Sequence, residues 1–212
     1  MNQAEWLEAR RQGVSGTDIS VLLGVNPYRS VDDLILDKLG IGKKFEGNAA
    51  TRAGQRLEPF VANHWAKRNQ KIIVNGAFTK SEENPYFVGT PDFLVGDGNG
   101  LEIKTGIEKT YAKGCPAYYE AQCRWYLMLT GRPEWTLCAC IVPKDRSLIP
   151  KDDLLDQWVP RQPHRHYHFL RDHSWEERAR QAALEFLARI ASLRAGQILT
   201  PDWLQSFGAH DP

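Results

Sequence analysis

The sequence has few cysteines and no apolar run long enough to cross a membrane. Only four of its 212 residues are cysteines, and none are paired at the CxxC spacing of zinc sites. A disulfide scaffold is therefore excluded, and we expect reduced, buried thiols at Cys115, Cys123, Cys138 and Cys140. No stretch approaches the roughly 20 apolar residues of a membrane span, and residues 1–6 lack the basic head and apolar run of a secretory signal. These absences predict a cytoplasmic protein.

The sequence also lacks internal repeats, low-complexity segments and an excess of one charge. Its formal net charge is +1, with 27 basic and 26 acidic side chains. Such a balance neither indicates nor excludes nucleic acid as a ligand, because phosphate binding requires only a local basic groove. Hydrophobic residues make up 42% of the chain and charged residues 25%, which is ordinary for a globular protein. The length suits one hydrophobic core, so we expect one domain over residues 1–212.

Helical spacing dominates the first third of the chain. Apolar residues recur at helical spacing over residues 1–40, apart from a break at 24–30 that ends with Ser30 in position to cap the next helix. Residues 49–69 predict a long helix with one apolar face. Pro59 lies inside it, removes one backbone donor, and marks a point where the helix could kink.

Strands are predicted after residue 70. Branched and aromatic residues predict strands at 72–78, 86–95 and 101–105, with a hairpin turn at 97–100. A helix at 116–130 follows, with Gly131 just past its end, and then strands at 135–142 and 164–170. Ser174 is predicted to cap a final helix. This order of elements predicts an α/β fold in which a mixed sheet is flanked by helices.

Three charged side chains occupy unusual places in the predicted hairpin. Period-2 alternation puts Glu102 and Lys104 on one face of their strand, and the turn can bring Asp92 near them. Two carboxylates suit Mg²⁺, which often binds one or two carboxylates together with a substrate phosphate. A lysine beside the ion can hold an attacking water molecule. The alternative is a surface ladder between Glu102 and Lys104, with Asp92 capping a turn.

The hairpin residues stand in a pattern known from a nuclease superfamily. Pro91-Asp92, nine intervening residues and Glu102-Ile103-Lys104 match the PD-(D/E)xK signature. Four further blocks occur in the expected order: Trp6-x-x-x-Arg10 followed by GVSGTD at 13–18, LGVNPY at 23–28, Gly54-x-x-x-Glu58, and YYEAQ at 118–122. From about residue 6 to residue 143 the chain resembles the YqaJ and phage lambda exonuclease branch of the PD-(D/E)xK superfamily. The last third contributes little to the resemblance.

The resemblance implies a role for each charged residue of the hairpin. Asp92 and Glu102 would bind the catalytic metal, Ile103 would add its backbone carbonyl, and Lys104 would orient the nucleophilic water. The resemblance also implies a PD-(D/E)xK restriction-endonuclease-like core and Mg²⁺ or Mn²⁺ as cofactor, with two ions per site. N-terminal helices would occupy residues 1–70, the catalytic core about 71–143, and a C-terminal strand and helices 144–212.

Residues outside the hairpin match further positions of the family. Glu58 matches a glutamate that assists a second metal or its water, and Gln122 a glutamine that contacts the metal site; the alternative for each is a solvated surface residue. Arg10 and Thr17 match an arginine and a serine that hold the terminal 5′-phosphate, a task that suits the guanidinium fork and a hydroxyl. Threonine keeps the hydroxyl of serine but adds a methyl group. The spacing within the motif favours Arg10 over Arg11.

Two lysines and three histidines have weaker assignments. Lys109 and Lys113, in a loop after the hairpin, either contact the DNA backbone or are solvated surface residues. His164, His166 and His168 alternate along one predicted strand, which is too straight for an easy three-histidine zinc site, so we expect a polar strand face.

The aromatic residues are expected to pack in the core, in particular Trp125, Tyr126, Trp135 and Trp175. One exposed tryptophan or tyrosine could still wedge the end of a duplex. The sequence does not identify it.

The implied activity is that of a metal-dependent 5′ to 3′ exonuclease that acts on double-stranded DNA ends. Such an enzyme releases mononucleotides and leaves a 3′ single strand for recombination. The resemblance also implies a bacterial or phage origin, a homotrimeric ring threaded by DNA, and a single-strand annealing protein as partner. Two alternatives stay open: a structure- or sequence-specific endonuclease of the same superfamily, and a non-catalytic DNA-binding module.

Overall fold

A computed structural model describes residues 2–42 and 47–196 of the chain. Its helices are α1 (Gln3–Gln12), α2 (Gly16–Leu22), α3 (Val31–Leu39), α4 (Ala49–Asn69), α5 (Ala117–Thr130), α6 (Leu155–Trp158) and α7 (His173–Arg194). Its strands are β1 (Ile73–Asn75), β2 (Thr79–Lys80), β3 (Val88–Gly89), β4 (Phe93–Val95), β5 (Gly100–Gly106), β6 (Glu134–Ile141) and β7 (His164–Leu170). The described ranges leave out residues 1, 43–46 and 197–212. These residues belong to the predicted N-terminal segment 1–70 and the predicted C-terminal segment 144–212. Within those ranges, no helix is long and apolar enough to span a membrane.

Local sequence signals explain where several helices begin and end. The predicted cap of α3 is confirmed, since the Ser30 hydroxyl accepts a hydrogen bond from the backbone N–H of Asp33 at 3.1 Å. Helix α4 has the predicted bounds and continues through Pro59. Helix α5 ends at Gly131, whose φ of 66° is a left-handed conformation that glycine adopts without steric cost.

The beginning of α7 differs from the prediction. Asp172, and not Ser174, caps this helix: its side chain accepts hydrogen bonds from the backbone N–H of Trp175 and from the Ser174 hydroxyl. Glu177, which would close a capping box on Ser174, instead pairs with Arg180 at 2.6 Å. Aspartate is as good a cap as serine and stands two residues earlier in the chain, so the helix gains residues by starting there.

A five-stranded mixed sheet lies at the centre of the fold, in the order β1-β4-β5-β6-β7. Neighbouring strands are antiparallel except β5 and β6, which are parallel and are connected through α5. In the parallel register, Glu102 lies beside Leu137 and Lys104 beside Ala139. The predicted α/β class, with a mixed sheet flanked by helices, is confirmed.

The predicted strand at 86–95 is in fact two strands that belong to two sheets. Strand β3 pairs with β2 in a separate two-stranded sheet, whereas β4 pairs with β1 and β5 in the main sheet. Pro91 separates β3 from β4 because it has no backbone N–H to donate to a strand ladder. The predicted strand at 72–78 is also shorter, and the N–H of Gly76 binds the carbonyl of Asp92 at 2.9 Å. Asp92 therefore lies at the break between the two sheets.

Two apolar clusters cover the two faces of the main sheet. One combines Leu57 of α4 with Leu101 and Ile103 of β5. The other combines residues of α2, α5 and α7 with the sheet, and includes the fully buried Trp125 and Trp135. Glu102 and Lys104 alternate with Leu101 and Ile103 along β5, so the alternation predicted from sequence is present.

The aromatic residues predicted to pack do so, because Tyr126 is buried and Trp175 packs against the second cluster. The four cysteines are free, as predicted, and three of them are buried, but Cys115 is only partly buried.

Candidate active site

The hairpin brings Asp92 to the charged segment of β5. Asp92 directly precedes β4, and its Oδ2 atom accepts a hydrogen bond of 2.8 Å from the backbone N–H of Ile103. Ile103 lies between Glu102 and Lys104 in the sequence, so the Asp92 carboxylate is held beside both. The three side chains that the sequence singled out therefore lie together at one place on the sheet.

Glu102 is buried and only half satisfied. None of its surface is exposed, and its Oε1 atom forms an ion pair of 2.5 Å with Nζ of Lys104. Its Oε2 atom has no hydrogen-bond partner in the described residues. Burial and the charge of Asp92 raise the pKa of Glu102 to about 8, although Lys104 opposes that shift. A buried carboxylate oxygen without a partner is costly, and a cation would satisfy it.

Glu58 approaches the same site from α4. This side chain lines a groove of about 960 Å³ together with Ile103, Lys104 and Gln122. Burial, and then the negative charge of Asp92, raises its pKa to about 7, while Lys104 acts in the opposite direction. The charges of Asp92 and Lys104 therefore both act on the Glu58 carboxyl group.

The donor set fits a hard cation. In the described ranges, no group of three or more His, Cys, Asp or Glu side chains is arranged to hold a metal ion. A Mg²⁺ site does not need three, since this ion commonly takes one or two carboxylates and completes its shell with water and substrate oxygens. Asp92 and the orphaned oxygen of Glu102 supply such a pair.

Gln122 connects the site to the turn before Asp92. Its amide donates a hydrogen bond of 3.1 Å to the Tyr126 hydroxyl, which in turn donates to the carbonyl of Thr90 at 3.1 Å. Helix α2 packs closely here, because a Cβ atom on Gly16 would lie 3.0 Å from Cγ of Gln122. Sequence reasoning assigned Tyr126 to the core only and missed this bond, for which a hydroxyl on a helix face is a weak signal.

Arg10 and Thr17 meet in a small cavity beside the hairpin. The cavity, of about 140 Å³, is also lined by Trp6, Thr90 and Gln122. The Arg10 guanidinium lies 4.7 Å from the centroid of the Trp6 ring, and the indole N–H of Trp6 binds the Thr90 hydroxyl at 3.0 Å. A cation stacked on an aromatic ring is pre-oriented for an anion. The structure thus places a guanidinium, a hydroxyl and an amide around one space.

Lys38 is a residue that sequence reasoning missed. It is 4% exposed, and its ammonium donates to the carbonyls of Arg10 and Gly13 and to Oδ2 of Asp18, all at 2.6 to 2.7 Å. It therefore anchors the backbone of Arg10. A signal existed, since Lys38 follows Leu34 by four positions on the buried face of α3, where a lysine is unusual.

The remaining candidates lie elsewhere. Lys109 and Lys113 line a separate cavity of about 480 Å³ that adjoins the groove. The three histidines are on β7, where Nδ1 of His168 is 2.9 Å from Glu134 and the ring centroid of His164 is 4.9 Å from that of His64. In this position the histidines are separated from the hairpin by β6.

The mixed sheet and its charged hairpin define a class, the PD-(D/E)xK nuclease fold. Two solved structures share this architecture. An alkaline exonuclease (LHK-Exo) from Laribacter hongkongensis matches with a TM-score of 0.69 and 21% identity, over 98% of each chain. A phage related exonuclease from Haemophilus somnus matches with a TM-score of 0.64 and 16% identity, over 86% of this chain and 96% of the other.

Residues 5–133 match the YqaJ-like viral recombinase domain, and the chain belongs to this family. The predicted membership of the YqaJ and lambda exonuclease branch is confirmed. YqaJ of Bacillus subtilis is 31% identical over 142 residues, and protein R354 of Acanthamoeba polyphaga mimivirus is 24% identical over 154 residues. Each match covers 64% of this chain, but the chain spans only 44% of YqaJ and 28% of R354.

Proposed function

We propose that the protein is a metal-dependent exonuclease that degrades double-stranded DNA from 5′ ends, releases mononucleotides and leaves a 3′ single strand. One observation carries the proposal: Asp92, Glu102 and Lys104 converge, and Glu102 keeps a buried oxygen without a partner in the described residues. Membership of a recombinase domain family supports a role on DNA ends.

Asp92, Glu102 and the carbonyl of Ile103 would hold Mg²⁺ or Mn²⁺, and Glu58 would hold a second ion or its water. When bound, the metal polarises the scissile phosphate and lowers the pKa of the attacking water. Lys104, which lines the groove, would bind that water through its ammonium. The ammonium is paired with Glu102, and its Nζ atom lies 5.4 Å from the centroid of the Tyr119 ring. Gln122 would orient a phosphate oxygen through its amide.

The polarity of degradation would come from the cavity that holds Arg10 and Thr17. A guanidinium and a hydroxyl can together hold the oxygens of a terminal 5′-phosphate. Gln122 lines both this cavity and the groove with Lys104, so a bound end would lie next to the reacting bond. LHK-Exo has been solved in complex with dAMP, which is the kind of product that stepwise release of mononucleotides would give.

The assembly and the partners belong to the same proposal. We expect a single nuclease domain over 1–212, a homotrimeric ring around DNA, and a single-strand annealing protein that receives the exposed strand. Light scattering of the purified protein tests the subunit count.

The experiment that tests the function is a time course on linear duplex DNA labelled at either the 5′ or the 3′ end. We expect the 5′ label to be released before the 3′ label, as a mononucleotide. Release should require Mg²⁺ or Mn²⁺ and should stop when a chelator is added. Covalently closed circular DNA should stay intact. Cutting of the circle would indicate an endonuclease, and metal-independent binding without release would indicate a DNA-binding module.

A further inference from the structure

Tyr28 is an aromatic side chain in an unusually open position. It exposes 78% of its surface, although it lies on the rim of the groove that contains Lys104. It also lines the adjoining cavity of about 480 Å³ that contains Lys109 and Lys113. Tyr28 therefore stands where the two spaces meet.

The position of Tyr28 is fixed by its surroundings. Its backbone N–H donates to the Asn26 side chain at 2.9 Å, and the Asn26 amide donates to the Ser20 hydroxyl at 2.9 Å. Its ring meets the Tyr118 ring edge to face, with centroids 5.5 Å apart. Most of the surface of this ring is open, so the ring offers a platform on which another flat ring can stack.

The neighbouring lysines are free to bind anions. Neither Lys109 nor Lys113 forms an ion pair with an acidic side chain in the described ranges, and the adjacent Glu108 is paired with Arg165. Two free ammonium groups beside an open tyrosine combine the two features by which proteins bind single-stranded nucleic acid, a basic surface and a stacking ring.

The platform is connected to the reacting groups. The ring centroids of Tyr118 and Tyr119 are 4.3 Å apart. The Nζ atom of Lys104 lies over the Tyr119 ring, 5.4 Å from its centroid. A strand bound at Tyr28 would therefore be a near neighbour of the strand in the groove.

We propose that Tyr28, Lys109 and Lys113 form a binding site for one unpaired nucleotide, with its base stacked on Tyr28 and the strand's phosphates on the two lysines. The site rests on the proposed function, because it takes DNA as the ligand. Bases inside a duplex already have both faces covered by their neighbours, so the stacked base must lie outside the duplex interior. The two lysines in the same cavity, which can follow the phosphates of one strand, specify an unpaired base.

Binding of a labelled oligothymidine, measured by fluorescence anisotropy in a chelator, tests the site. Tyr28→Ala should weaken binding about tenfold, which is within the range for loss of one stacked base. Tyr28→Phe should bind within about twofold of the parent, since the ring is kept. Tyr28→Leu should behave like Tyr28→Ala, and retention of binding by this variant would overturn stacking. Tyr86→Ala removes a half-exposed tyrosine from a different cavity and is the matched control.

Photo-crosslinking and salt dependence give two further readouts. Oligonucleotides with 5-iodouracil at one position should crosslink to Tyr28, and crosslinks found only elsewhere would contradict the site. Replacing both lysines by alanine should reduce the slope of log affinity against log salt by about 1.4, that is, about 0.7 for each lost phosphate contact, with Lys67→Ala as the exposed control.

A relaxed, covalently closed circular duplex, which has neither ends nor unpaired loops, separates the two ligands. If Tyr28→Ala weakens its binding as much as that of oligothymidine, Tyr28 contacts the duplex and the inference is wrong. Because binding in a chelator requires no hydrolysis, absence of nuclease activity would overturn the proposed function alone. An active nuclease with unchanged binding by Tyr28→Ala would overturn this inference alone.

Discussion

In the described ranges, two lysines pair with a buried carboxylate, and the two carboxylates differ in how many hydrogen bonds they accept. Oδ2 of Asp18 accepts from Lys38 and from both the backbone N–H and the hydroxyl of Ser15, while Lys38 donates to three acceptors. In the second pair, Glu102 binds Lys104 and leaves Oε2 without a partner in the described residues.

The two carboxylates respond oppositely to burial. Burial raises the pKa of Asp18, but Lys38 and the bonds from Ser15 outweigh it, so that the pKa lies below its ordinary value. For Glu102, burial and the nearby Asp92 outweigh Lys104, and the pKa rises to about 8. Three donors on one carboxylate stabilise its charge in the fold, whereas a buried carboxylate oxygen without a donor, beside a second carboxylate, would be satisfied by a cation. We therefore expect the first pair to serve stability and the second to serve the proposed chemistry.

The largest expected effect is the loss of nuclease activity in Lys104→Met, with a smaller effect on folding. If this lysine holds the attacking water, its loss should slow nucleotide release about 10³-fold, within the range for a positioned proton-transfer group. Folding should be affected less, because the buried Glu102 can become neutral once its partner is gone. Acid-soluble nucleotide release and thermal unfolding measure the two effects. An active Lys104→Met variant would show that Lys104 is only structural.

The reverse pattern is expected from Lys38→Met. It leaves the buried charge of Asp18 without its paired cation and two backbone carbonyls without their donor, which should lower the free energy of unfolding by about 3–5 kcal/mol. Urea denaturation measures the loss, and Lys67→Met, at an exposed lysine of α4, is the matched control. If both variants unfold at the same urea concentration, the distinction between the two pairs is wrong.

The second pair could be predicted from the sequence and the first could not, for physical reasons. Strand alternation is local, so Glu102 and Lys104 were placed on one face, and a strong turn signal brought Asp92 beside them. The partners of Lys38 lie 20 to 28 residues away, and only the packing of α1, α2 and α3 brings them together. Such contacts leave no short-range pattern beyond a lysine on an apolar face.

Local signals also failed where two of them competed. The run at 86–95 has strand composition throughout, yet Pro91 interrupts it and the halves join different sheets. Asp172 and Ser174 both suit a helix cap, and in the structure Asp172 caps while the Ser174 hydroxyl donates to its side chain. The predicted roles of Arg10, Thr17, Glu58 and Gln122 came from the resemblance, and they stay predictions.

Arg10→Ala should reduce the rate of DNA degradation by an intermediate factor. Arg10 lies between the first pair and the proposed active site. The Arg10 carbonyl is bound by Lys38 and its guanidinium lines the small cavity, so the first pair supports the proposed phosphate pocket. We expect Arg10→Ala to slow degradation of 5′-phosphorylated ends about tenfold more than that of 5′-hydroxyl ends, as for loss of one charge-assisted contact. Initial rates on the two substrates measure this ratio, with the neighbouring Arg11→Ala as control. Equal losses on both ends would exclude a phosphate pocket at Arg10.

The smallest effect is expected from acid, and it tests the sign of the Asp18 shift. Because the pKa of Asp18 is lower in the folded protein than its ordinary value of 3.8, its ionised form stabilises the fold. That stabilisation is complete above the unfolded-state pKa and is lost as the pH falls below 3.8 through the folded-state value. The stability difference between the parent and Asp18→Asn should therefore narrow in acid. Urea denaturation across a pH series measures it, with Asp32→Asn at an exposed position of α3 as control. A difference that widens in acid would mean that Asp18 is buried as the neutral acid, and the two pairs would then be alike.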